Sequence, residues 1–210
     1  MIREIIARQD VSPVIKGSGH FFFDFTSANS EIEEMDFSDP VACEEYIKSK
    51  LNNYQVLGIG KYNEDRIIYR QSLSLTRSVH IGMDIFTLSG TPVFAPLTGR
   101  VHSFQDNDTK GDYGPTIILE HQIEGCTFYT LYGHLTWDSL NVTVGQIISQ
   151  GEQFASIGNY PLNGNWPPHL HFQIITEMLG RRGDFPGVCS ITERDYWLNI
   201  CPDPNLILRV

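Results

Sequence analysis

The chain has 210 residues and a mass of 23.8 kDa, enough for one sizeable domain with a small appendage. Its 41% hydrophobic and 19% charged residues are ordinary for a soluble globular protein. A net charge of −10 and a pI near 5.0, with no basic patch, argue against nucleic acid and anionic membranes as partners.

No run approaches the ~18 apolar residues of a membrane span. Residues Met1–Asp10 lack the apolar core and cleavage site of a signal peptide. Cys43, Cys126, Cys189 and Cys201 form no Cys-x-x-Cys pair. Free thiols in a reducing, cytoplasmic setting are therefore expected.

In chain order, residues 1–70 read as a small α+β extension. Phe21-Phe-Phe-Asp-Phe25 is a short aromatic strand. From Glu31 to Glu45 there are seven acids and no base, which predicts a solvated face. Asp39-Pro40 is a helix start, and the spacing predicts a helix over about 40–51 that buries Val41, Tyr46, Ile47 and Leu51.

From 71 to 176 the pattern is that of an antiparallel β domain. Strand candidates are 66–70, at the end of the extension, and then 79–83, 90–96, 98–104, 116–121, 126–132, 142–144, 146–149 and 153–158, with Ile123-Glu-Gly125 as a hairpin connection. Residues 177–210 form a tail with one helical turn from Thr192 and an extended Pro202–Leu208, packing on the domain.

Within Trp166-Pro-Pro-His-Leu-His-Phe-Gln173, His169 and His171 are one residue apart. On a strand both imidazoles project from one face, about 7 Å apart, while Leu170 and Phe172 point into a core. Buried imidazoles need partners or a metal.

His80-Ile-Gly-Met-Asp84 adds a histidine and a carboxylate. On a straight strand these lie about 13 Å apart, too far for one ion. Gly82 permits a bend that brings them together. One histidine of the 169/171 pair would complete a two-His, one-carboxylate set, the other staying beside the metal. His134, in Gly133-His-Leu135, sits where an apolar strand meets a loop and suits charge stabilisation or positioning of a water.

The ordered set His80-x-x-x-Asp84, Tyr132-Gly-His134-Leu and Pro168-His169-Leu-His171-Phe resembles the lysostaphin/LytM-type zinc metallopeptidases, which include glycyl-glycine and peptidoglycan cross-link endopeptidases. The frame Gly90-Thr-Pro-Val-x-Ala-Pro-x-x-Gly99-x-Val and Val144-Gly-Gln-x-Ile-x-x-Gly-Glu-x-x-Ala-x-Ile-Gly158 fits too, so the likeness covers about residues 75–175.

The resemblance implies one zinc ion on His80, Asp84 and His171, with His134 and His169 as catalytic histidines. It also implies a mainly β, antiparallel domain of the lysostaphin-like, biotinyl-like hybrid type. His20, His102 and His121 match no motif position and read as structural or surface residues.

Three positions depart from the family pattern. They are Gly164-Asn-Trp-Pro-Pro168 before the last motif, Tyr113-Gly-Pro115, and Gln173 where an acid is frequent. All three are expected near the groove, where they bear on substrate preference. The flanks, Phe185–Val188, Trp197 and Pro202–Leu208, are similar to peptidase-like modules fused to phosphotransferase and aminotransferase domains.

The expected function is zinc-dependent hydrolysis of a peptide or amide bond, through an activated water assisted by two histidines. A peptide or peptidoglycan-like substrate would lie in a groove lined by Tyr113, Tyr132 and Trp166. The alternative is a zinc-holding binding or regulatory module without hydrolysis. A biotinyl-type carrier would need a lysine at a hairpin tip, for which Lys110 is poorly placed. Residues 1–70 either pack on the domain or inhibit it, and the sequence leaves the oligomeric state open.

Overall fold

The computed structural model describes residues 2–33, 35–37, 39–72 and 76–210, with 70–72 described by backbone alone. Glu34, counted in the acidic stretch, lies outside these residues.

Among the described residues thirteen strands run in chain order: β1 (His20–Phe22), β2 (Leu57–Gly60), β3 (Glu64–Asp65), β4 (Val79–His80), β5 (Met83–Phe86), β6 (Pro92–Phe94), β7 (Gly99–Asn107), β8 (Gly114–Ile123), β9 (Cys126–Gly133), β10 (Ile147–Ile148), β11 (Gln153–Ser156), β12 (His169–Ile175) and β13 (Val188–Cys189). The helices are α1 (Ile2–Ala7), α2 (Pro40–Lys50), α3 (Ile67–Ser72), α4 (Arg194–Ile200) and α5 (Asn205–Leu208).

Eight strands form one sheet in the order β1-β2-β5-β12-β9-β8-β7-β10. All its pairings are antiparallel except β1 with β2. β6 and β11 make a second sheet, and β13, β4 and β3 a third.

The expected mainly antiparallel fold is borne out, and the extension supplies β1 and β2 to the main sheet. Alternation sorts the central strands onto two faces. Ile117, Leu119, Phe128, Tyr132, Leu170, Phe172 and Ile174 enter the larger core. Ile118, Leu131 and Ile175 face a second core with Val79, Ile81 and Phe185. A third cluster holds Phe23, Phe25, Ile47 and Tyr69 from the extension against Phe86 of β5.

Helix α2 starts as expected. The Asp39 side chain accepts from the N–H groups of Val41 and Ala42, with Pro40 at the first position. Its buried line is Cys43, Ile47 and Leu51, whereas Val41 is exposed, since four-residue steps from Leu51 reach Cys43.

Other expectations need correction. The strand expected at 66–70 is the start of α3: Ile67-Ile-Tyr69 is apolar without alternation, and such a run fits a buried helical turn as well as a strand. No strand forms over 142–144, where the Thr143 N–H turns back to the Gln146 side chain. Residues 205–208 are helical rather than extended, started by Asp203, whose carboxylate accepts from the Asn205 N–H.

Candidate metal centre

The chain changes sheets between His80 and Asp84. β4 pairs with β3 and β13, the backbone bends at Gly82, and β5 joins the main sheet. That bend brings His80 Nε2 to 3.3 Å from Asp84 Oδ1. A Cβ on Gly82 would lie 2.5 Å from the His171 ring, so only glycine lets the bend pass this closely.

Antiparallel register does the rest. His171 sits opposite Asp84 on one side and Gly133 on the other, and His169 opposite Phe86. His171 Nδ1 is 3.1 Å from His80 Nε2 and 3.2 Å from Asp84 Oδ1. Three donors around a tetrahedral zinc at ~2.0–2.1 Å would be about 3.3 Å apart, so this set fits the ion. Among the described residues, His80, Asp84 and His171 are the group whose ligand atoms converge in this way.

The hydrogen-bond network assigns a tautomer to each histidine. His80 Nδ1–H donates to the Lys61 carbonyl at 3.0 Å, freeing Nε2. His171 Nε2–H donates to Gln173 Oε1 at 2.9 Å, freeing Nδ1. The Gln173 amide is oriented by donating to the Pro186 carbonyl and the Cys201 sulfur. Gln173 therefore lies behind His171 and not in the groove where the sequence placed it.

His134 Nδ1–H donates to the Asn163 carbonyl at 2.8 Å, and His169 Nδ1–H to the Pro167 carbonyl at 2.7 Å. Both keep an unprotonated Nε2. Their ring centroids are 4.1 Å apart, and His169 Nε2 is 3.9 Å from Asp84 Oδ1. His134 occupies a left-handed backbone position, φ 61°, directly after β9.

Electrostatics favour neutral imidazoles around an ionised carboxylate. Burial, followed by the charge of Arg66, pushes His80 down to about 4. Burial and the neighbouring His169 and His171 hold His134 well below the ordinary imidazole value. Burial also lowers His169, against the pull of Asp84. For Asp84 burial opposes ionisation, but His80 and Arg66 outweigh it and keep its pKa well below the usual range. At neutral pH, with His80 uncharged, Arg66 is the fixed charge responsible.

A cavity of about 580 Å³ opens over these residues, and Tyr113 and Trp166 are in its wall. Tyr132 is not. It is completely buried in the larger core against Phe154 and Phe172, because its neighbours Leu131 and Gly133 take the site-facing positions of β9. Of the other histidines, His121 is buried between Thr98 and Thr130, and His102 packs on Tyr129, both away from the cavity.

Residues 78–182 match peptidase family M23. The chain belongs to this family. The expected lysostaphin-type resemblance is thereby borne out, and His80, Asp84 and His171 form a group that could hold the family's metal.

Solved structures similar to parts of the chain include a zinc-containing peptidase from Vibrio cholerae, at 28% identity, 46% of this chain, 27% of that one and a TM-score of 0.36. The catalytic domain of lysostaphin from Staphylococcus simulans matches at 24% identity, 57% of this chain, 80% of that one and a TM-score of 0.41. The chain thus spans only about a quarter of the Vibrio protein. No curated protein matches it significantly.

What the sequence did not reveal is the support. Lys61, Glu64, Arg66 and Tyr69 precede the matched region yet surround two of the converging side chains, His80 and Asp84. The only sequence signal was an acid and a base, Glu64 and Arg66, flanking Asp65 beside an apolar run.

Proposed function

We propose that the chain hydrolyses a peptide or amide bond at a zinc centre held by His80, Asp84 and His171, with His134 and His169 as catalytic histidines. The observation that carries this reading is the tautomer pattern. Two histidines turn lone pairs towards Asp84 Oδ1, while two more keep free Nε2 atoms beside them. Zinc in such a site lowers the pKa of a water towards neutrality and polarises a carbonyl.

His134 and His169 do the proton work. Each is neutral at pH 7, so its Nε2 can take a proton from the attacking water. The resulting imidazolium then stabilises negative charge on the carbonyl oxygen and returns the proton to the leaving amine. The carbonyls of Asn163 and Pro167 hold both rings during the transfer. A module that only holds zinc needs no such pair, which speaks for hydrolysis.

The substrate is a peptide or a peptidoglycan-like amide, seated against Tyr113 and Trp166 in the cavity wall. The test is zinc content together with turnover on a panel of glycine-rich, D-amino-acid and ordinary peptides. His134→Ala should keep zinc and lose ~10²–10⁴-fold in turnover. Asp84→Ala should lose both, and a zinc-loaded Asp84→Ala protein with full turnover would sink the assignment.

A further inference from the structure

Arg66 is 1% exposed, and a buried guanidinium must be compensated on every side. Its Nη1 donates to Asp84 Oδ2 at 2.5 Å and to the Tyr69 hydroxyl at 2.8 Å. Its Nε donates to Glu64 Oε2 at 2.9 Å, and its Nη2 to the Lys61 carbonyl at 3.1 Å. The same carbonyl accepts from His80 Nδ1–H. One backbone oxygen and one side chain thus fix two of the three converging donors.

The fit is close. A Cβ on Gly60 would lie 2.8 Å from Arg66 Nη2 and 3.0 Å from Asp84 Oδ2, so β2 carries glycine where the guanidinium meets the carboxylate. With Oδ2 engaged, only Oδ1 faces His80 and His171.

We infer that Arg66 is a positioning residue of the metal centre, holding Asp84 as a one-oxygen ligand. This rests on the zinc reading above and extends it to a segment outside the family match at 78–182. Conserving the charge alone would not suffice, because a planar fork can grip Glu64 and Asp84 together whereas a lysine is a point charge.

A purely structural counter-charge makes the opposite prediction. Removing a positive charge near a cation should by itself tighten zinc, whereas removing the group that aims Asp84 should weaken it.

Full-length Arg66→Met and Arg66→Lys are prepared metal-free, checked for folding by circular dichroism, and titrated with zinc against a chelator of known affinity. Cobalt(II) visible spectra are recorded alongside. Arg66→Met should bind zinc about 10–100-fold more weakly. Arg66→Lys should fall between it and the unaltered chain. The cobalt absorption of both should weaken as Asp84 offers both oxygens.

A folded Arg66→Met protein that binds zinc as tightly as the unaltered chain, or more tightly, overturns the inference alone. If Arg66→Met does not fold, Arg66→Lys decides, and unchanged affinity and spectrum there overturn it. An unaltered chain that takes up no zinc overturns the metal reading itself.

Discussion

Each of the five buried histidines, His80, His121, His134, His169 and His171, faces an oxygen acceptor through one ring nitrogen. Burying His80, His121, His134 and His169 neutral has a cost in acid. His121 is the cleanest case because it lies away from the cavity, and burial pushes it down to about 4 from an ordinary value of 6.5. The unfolded chain therefore takes up its proton first. Stability is full above about pH 6.5 and falls by on the order of 3 kcal/mol as the pH drops to about 4. His80 titrates in the same direction in metal-free protein. The urea midpoint of metal-free protein should drop steeply between pH 7 and 5, and His121→Gln should flatten that slope by about one proton. A midpoint independent of pH in this range would contradict the burial. At this scale the shared face of His169 and His171 was legible from strand alternation. His80, Asp84 and His134 were instead singled out by the family resemblance, since a straight strand would hold His80 and Asp84 apart. Tyr132 was misplaced although the same alternation, counted from Gly133, sends it to the core.

Among the elements, those of the family domain follow from alternation and turn residues, such as the Glu124-Gly125 turn between β8 and β9. The extension was harder to read. Its short strands gain meaning only from partners far along the chain: β2 from β5, and β3 from β4. Likewise, nothing local marks Arg66 as a partner of Asp84. These pairings bear on whether residues 1–70 restrain the peptidase or belong to it. Removing residues 1–65 would uncover the edge of β5, strip the Lys61 carbonyl from His80 and remove Glu64. The truncated protein is expected to aggregate or to melt at least several degrees lower, with weakened zinc uptake. A soluble truncate with raised turnover would instead make the extension an inhibitor.

Taken whole, the molecule places the proposed metal donors on two different sheets. His80 belongs to the small sheet of β3, β4 and β13, and Asp84 and His171 to the large one. A bound ion at that junction acts as a cross-link whose release requires the two layers to part. Zinc at about 100 times its dissociation constant adds roughly 2.7 kcal/mol to stability, and only to states in which both layers are in place. The small sheet should then behave as a cooperative opening unit governed by the metal. Hydrogen exchange measured with and without zinc should show protection gained most in β3, β4 and β13. The β7–β8 ladder, remote from the junction, should gain only what global stability lends it. Equal gains throughout would mean that the bend at Gly82 turns the chain without coupling the two sheets.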